Sequence, residues 1–109
     1  MKVREVFILE EALEDLQIGR DFYEDQEEGI GDYFSSSLLS DIKSLRLYAG
    51  VHPKVYRFYR ALAKRFPFAI YYDLSEDIAQ IIAVLDMRQN PKSIKERLQE
   101  QRPISEVTN

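Results

Sequence analysis

Seven cations crowd the second half of this chain, Arg57, Arg60, Lys64, Arg65, Arg88, Lys92 and Lys95, and four tyrosines, Tyr56, Tyr59, Tyr71 and Tyr72, are interleaved with them. Guanidinium and ammonium groups receive phosphate or carboxylate oxygens, and aromatic rings beside them offer stacking faces. Together they are the makings of a groove for nucleic acid or for an acidic peptide. The same residues also fit a purely structural arrangement, with strand arginines paired to acidic helices and tyrosines filling the margin of the core. Taken alone, the spacing allows both.

Other chemistries find little footing. The acidic groups Glu10/Glu11, Glu14/Asp15, Asp25/Glu27/Glu28 and Glu76/Asp77 fall on helix faces and turns, where solvated surface is the expectation, and none matches an EF-hand or catalytic metal spacing. No metal site is expected, and no cofactor. The chain has no cysteine, which removes disulfides and thiolate ligands, and its one histidine, His52, cannot form a His pair. Gly29-Ile-Gly31 lies between two helical segments and does not follow a strand, so it is no phosphate loop.

Charge is distributed unevenly. The net charge is −4 over 109 residues, but residues 1–50 hold 12 acids and 5 bases (−7), while residues 51–109 hold 7 acids and 10 bases (+3). The total argues against non-specific coating of nucleic acid, and any polyanion would meet the C-terminal half. The length suits one domain, expected over residues 1–98, with a polar tail over 99–109. No apolar run approaches the ~18–20 residues of a membrane span. The first residues lack the apolar region of a signal peptide, so the cytoplasm is the expected compartment, without a membrane partner.

The elements that must position these residues can be read from periodicity. Val3 to Leu9 reads as a strand. A helix follows with Ala12, Leu13, Leu16, Gly19 or Arg20, and Tyr23 as its apolar stripe, and Gly29-Ile-Gly31 turns the chain. A second helix carries Phe34, Leu38, Ile42 and Leu45, with Ser35, Ser36, Ser37 and Lys43 mostly off that stripe. Ala49 to Pro53 is loop, and Val55 to Leu62 reads as one continuous strand. On the next strand Phe66, Phe68, Ile70 and Tyr72 share a face, and Pro67 belongs at a strand start, a bulge or an unpaired edge. After the turn Asp73 to Asp77, the run Ile78 to Met87 is apolar on both faces, with Ile81, Ala83 and Leu85 opposite Ile78, Ile82 and Val84. Asn90-Pro91 opens a short helix docked by Ile94 and Leu98. The predicted class is α+β: a β-α-α-β-β-β order, an αα-hairpin packed on an antiparallel-dominated sheet, and a short C-terminal helix.

Three blocks carry a resemblance: Ala12…Asp15-Leu16…Phe22-Tyr23-Glu24…Gly29-Ile-Gly31…Phe34, then Tyr59-Arg60-Ala-Leu62…Lys64-Arg65-Phe-Pro-Phe-Ala-Ile-Tyr-Tyr72, then Ile82-Ala-Val-Leu85…Arg88…Asn90-Pro91. They resemble the RelE/ParE toxin superfamily over residues of about 5 to 98, and most closely its ParE-like branch, the plasmid stabilisation proteins. The resemblance implies the toxin half of a bacterial type II toxin–antitoxin pair, with a cognate antitoxin as partner. Two activities live on such a fold. RelE-like members cut messenger RNA on the ribosome, with strand cations and a late tyrosine stabilising charge and moving protons. ParE-like members bind and poison DNA gyrase without a hydrolytic set.

Arg88 matches the arginine that follows the last strand in both branches. Tyr59 and Ala61 stand where RelE-like toxins carry lysines, Phe68 where they carry an arginine, and Ile94 where the late tyrosine falls. Asp86 stands where a histidine is common, close enough to pair with Arg88. The resemblance therefore favours a gyrase-binding toxin, with no catalytic residue assigned. Arg88, Arg60, Lys64 and Arg65 are its expected target-binding surface, and Arg57, Tyr59 and Tyr71 its expected antitoxin-binding surface. The ribosome-dependent endonuclease and a degenerate member that only binds its antitoxin are the alternatives, so whether the chain is an enzyme stays open.

Overall fold

The computed structural model describes residues 2–101. A single sheet is built from β1 (Glu5–Ile8), β2 (Lys54–Val55), β3 (Phe58–Leu62), β4 (Phe68–Ser75) and β5 (Ile78–Asp86), in the spatial order β1-β5-β4-β3-β2. Helices α1 (Glu10–Gln26) and α2 (Ile30–Lys43), with the single turn α3 (Leu45–Tyr48), cover one face, and α4 (Pro91–Gln99) packs on the other. β1 runs parallel to β5 and every other pairing is antiparallel. The expected α+β class and helical hairpin are both present, with the polar tail beyond residue 101 lying outside the described residues.

The larger core lies under the hairpin and gathers Phe34, Leu38, Ile42 and Leu45 against Phe68, Ile70, Tyr72, Ile81 and Val84. Each such side chain, fully buried, contributes roughly 1.5–3 kcal/mol relative to exposure. The helical hairpin closes tightly. Gly29 takes φ 93° at the turn, and the Glu24 carboxylate accepts its N–H at 3.1 Å and that of Gly31 at 2.9 Å, supplying acceptors to the start of α2. A methyl at Gly31 would lie 2.7 Å from the Arg20 carbonyl oxygen and 2.8 Å from the Glu24 side chain, so only glycine permits this approach. α4 starts as its sequence predicts: Asn90 Oδ1 accepts the Lys92 N–H at 2.9 Å, and Ile94 and Leu98 are buried beneath it.

Several details differ from the sequence reading. Val55 to Leu62 is not one strand, because Tyr56 (φ 52°) and Arg57 (φ 74°) form a two-residue turn between β2 and β3. Neither is the asparagine or glycine that such a turn favours, so each position stores strain on the order of 1 kcal/mol. The faces of β5 do not alternate throughout. Tyr71 pairs with Ala83 and Tyr72 with Ile81, leaving Ile82 as a bulge. Ile81 and Val84 consequently share the hairpin side, and Ile82, Ala83 and Leu85 the α4 side. Leu13, expected on the buried stripe of α1, is 51% exposed. Asp15 takes a place in that stripe, and Ser37 is buried on α2.

Pro67 sits immediately before β4, where its missing N–H breaks no ladder, and its carbonyl accepts the Met87 N–H at 2.8 Å. That bond joins the β3–β4 loop to the chain leaving β5. The cationic ends of both segments are thereby brought to one end of the sheet.

Candidate functional site

Arg88 leaves β5 in a tightly specified pose. Its Nε donates to Asp86 Oδ1 at 3.0 Å and its Nη2 to Asp86 Oδ2 at 2.8 Å, while its backbone N–H also reaches Oδ1 at 2.8 Å. The pairing suspected from sequence is thus present, as a two-point fork. Nη2 donates further to the Tyr23 hydroxyl at 3.1 Å. Hydrogen bonding to Arg88 holds the Asp86 carboxyl below the usual carboxylate range, and the same bond to Asp86 raises the Arg88 guanidinium. Arg88 remains charged and about half exposed, with one edge of its guanidinium held.

Tyr23 is a fixed anchor because it is set in an aromatic cluster. Its ring stacks on Phe34 at 5.2 Å, meets Phe66 edge-on at 4.8 Å and lies 6.3 Å from Phe68. Phe66 belongs to the β3–β4 loop, so the cluster that positions Arg88 also pins the segment carrying Lys64 and Arg65. The buried Asp41 of α2 secures the other side of that loop by accepting the Lys64 N–H at 3.0 Å. Arg88, Lys64 and Arg65 therefore share one end of the sheet.

The remaining predicted residues lie elsewhere. Arg60 is on β3 opposite Tyr71, on the face that α4 partly covers. Tyr71 is buried, its hydroxyl donating to Met87 Sδ at 3.8 Å, and burial pushes its phenol up. Tyr59 faces the opposite side, stacked on Tyr72 at 5.1 Å with Lys54 Nζ over its ring at 4.9 Å. Arg57 occupies the exposed β2–β3 turn. The structure thus joins three of the four expected target-binding residues and separates Arg60 from them. It divides the expected antitoxin-binding trio between a turn and two faces of the sheet.

Sequence reasoning missed Asp15 and Arg97. Asp15, grouped there with solvated acids, is buried: its carboxylate accepts the Val84 N–H at 3.0 Å and two N–H bonds from Arg97, at 2.8 and 2.9 Å. β1 ends at Ile8, opposite Ile81, so the outer edge of β5 is open from Ile82 onward, and Asp15 stands in for the missing strand. The signal was present, since an acid three residues after Ala12 and four before Gly19 falls inside the apolar stripe. Beside the pair lies a cleft of about 350 Å³ lined by Ile18, Phe22, Phe68, Asp86 and Gln89 as well as Asp15 and Arg97. Hydrogen bonding to Asp15 raises the Arg97 guanidinium.

His52 is half-buried, with Nδ1 2.5 Å from the Tyr72 hydroxyl, which also accepts the Gly50 N–H at 2.8 Å. Burial lowers the imidazole below its ordinary value. Among the described residues no group of three or more His, Asp or Glu side chains could hold a metal ion, and no helix is long and apolar enough to cross a membrane.

No family model matches the chain, and no curated protein matches it by sequence. Among solved structures, a chain of the chromosomal ParDE TA system from P. aeruginosa superposes with a TM-score of 0.66 at 16% identity, covering 73% of this chain and 91% of that one. At that identity the likeness speaks for the fold, and the fold of this chain is the RelE/ParE-like fold that its residues resemble.

Proposed function

We propose that this chain is the toxin of a type II toxin–antitoxin pair, ParE-like in action, arresting growth by binding DNA gyrase and neutralised by a cognate antitoxin. The observation that carries the choice of target is the fate of two positions. Phe68 and Ile94, each 6% exposed, stand where the resemblance puts an arginine and a tyrosine in the RNA-cutting branch. Here both are core residues, one in the aromatic cluster and one beneath α4. A chain that has turned two positions of a cutting set into packing keeps a surface for binding and lacks the groups for proton transfer.

Arg88 is the centre of the target surface, with Lys64 and Arg65 beside it and Arg60 on the adjoining face. Asp86 and Tyr23 orient Arg88 and leave half of it to solvent. Antitoxin contact belongs to the hairpin edge at Arg57 and Tyr59, with Tyr71, opposite Arg60, on the other face of the sheet. Induction of the chain alone, followed by mapping of RNA ends and of chromosomal breaks, tests the reading. Gyrase-linked breaks with intact messages are expected. Codon-phased cuts in translated messages point instead to the ribosome, and unimpaired growth to a chain that only binds its antitoxin.

A further inference from the structure

One buried carboxylate of this chain lacks a counter-charge. Asp41, 7% exposed on α2, accepts the Lys64 main-chain N–H at 3.0 Å through Oδ2, and its Oδ1 has no hydrogen-bond partner among the described residues. An ionised carboxylate accepts about four hydrogen bonds, and buried charges are as a rule paired. Asp15 and Asp86 follow that rule, each forked to an arginine, whereas Asp41 meets no cation among the described residues. Its free oxygen is not sealed in. Arg60 Nε is the one fully buried side-chain nitrogen or oxygen without a partner among them, so Oδ1 of Asp41 keeps contact with open space.

That space is a cavity of about 300 Å³ between the end of α2, the turn α3 and β3. Leu45 and Ile70 give it an apolar floor, and Tyr48 and Val51, 56% and 66% exposed, rim its mouth. Ser44 adds a second acceptor: its hydroxyl proton is committed to the Asp41 carbonyl oxygen at 2.6 Å, which leaves lone pairs for a donor. His52, also on the wall, is tied by Nδ1 to the Tyr72 hydroxyl. Lys64 lines the same cavity, yet it bonds to Asp41 through its main chain alone.

We propose that this cavity binds a primary ammonium group carried on a short aliphatic stem, with Asp41 as its counter-ion. The ligand must donate, because the unsatisfied group is an anionic acceptor, and the apolar walls cover the stem. A metal ion does not fit, since no group of three or more His, Asp or Glu side chains among the described residues could hold one. An ammonium fits better than a guanidinium. With Oδ2 engaged, one oxygen remains for the ligand, and the fork that a guanidinium makes needs two. An ammonium is a point charge with three donors, enough for Asp41 Oδ1 and Ser44 Oγ together. The volume is at the small end for ligand pockets, which suits a free amine or a single lysine side chain of a partner. The site lies beyond the surface centred on Arg88 and does not depend on the proposed action on gyrase.

The test uses the purified full chain and follows the NMR signal of the Lys64 main-chain N–H, which sits on the Asp41 carboxylate. Protonated n-butylamine is added at neutral pH, against sodium chloride at matched ionic strength and against n-butanol, an uncharged molecule of similar shape. A saturating shift with n-butylamine, absent with chloride and at least 10-fold weaker with n-butanol, is expected. Asp41→Asn keeps an oxygen for the Lys64 N–H and removes the charge, so affinity should fall at least 10-fold. Val51→Lys should do the same by adding a like charge at the exposed mouth, and an unchanged melting temperature there excludes misfolding as the cause. Lys64→Met should change affinity by less than 10-fold; a larger rise makes Lys64 the resident cation and overturns the site. A short extended peptide with a central lysine separates the two sources. Tighter binding than n-butylamine assigns the site to a partner's lysine, and weaker binding to a free amine. A shift that only follows ionic strength, equal affinity for n-butanol, or undiminished affinity in Asp41→Asn overturns the proposal.

Discussion

Removal of the Asp15 carboxylate should loosen α4 and the end of β5 together. Asp15→Ala leaves the Val84 N–H without its acceptor and takes from Arg97 both of its carboxylate bonds. Breaking a buried ion pair from one side costs about 3–5 kcal/mol, and stranding a buried donor about 1–3 kcal/mol. The Arg97 side chain is 26% exposed and can turn partly to water, which brings the expected total down to about 2–4 kcal/mol. For a domain of this size that is a fall in melting temperature of roughly 10–20 °C. Arg97→Met should cost at least as much, because it strands the more deeply buried Asp15 carboxylate with only its bond to the Val84 N–H. Urea unfolding of the two single variants and the double variant forms a cycle, with an expected coupling of about 1–3 kcal/mol. A loss below ~1 kcal/mol for Asp15→Ala, or no coupling, would refute the role of this pair.

Gly31→Ala should destabilise the helical hairpin by about 1–3 kcal/mol, since the new methyl meets backbone oxygen at 2.7 Å; an unchanged urea midpoint would contradict this. The single histidine gives a clean pH probe. Its folded value is depressed, so the unfolded chain binds the proton more readily, and the stability due to neutral His52 is full above about pH 6.5 and lost as pH falls from there through the folded value. NMR titration of its ring should therefore report a midpoint below 6.5, and His52→Gln should flatten the fall of stability in that window. A midpoint at or above 6.5 contradicts the buried neutral ring.

Much of this fold is legible because its strands and helices repeat at their own periods. Phe66, Phe68, Ile70 and Tyr72 do fall on one side, and Asn90-Pro91 does open α4. Where the reading failed, a local event broke the period without a sequence marker. The β2–β3 turn uses Tyr56 and Arg57 in place of the usual asparagine and glycine, so alternation runs through it undisturbed. The bulge at Ile82 falls in a run apolar on both faces, where a one-residue shift leaves no trace.

The candidate site was legible in part. Asp86 and Arg88 are two residues apart, and their pairing follows from proximity. Tyr23 and Asp15 act on residues 65 and 82 positions away, and only tertiary structure brings such partners together. Arg60 was separated from Arg88 for a related reason. Cations close in sequence lie on different faces when a strand and the loop after it present them.

The central claim, a gyrase-binding surface centred on Arg88, is tested most directly with purified components. The chain is added to DNA gyrase and supercoiled plasmid, and the products are resolved after the protein is digested. Wild type should inhibit supercoiling and accumulate cleaved plasmid, while Arg88→Ala, folded and still able to bind the antitoxin, should lose both effects. Undisturbed gyrase in the presence of wild-type protein, or equal inhibition by Arg88→Ala, would contradict the account.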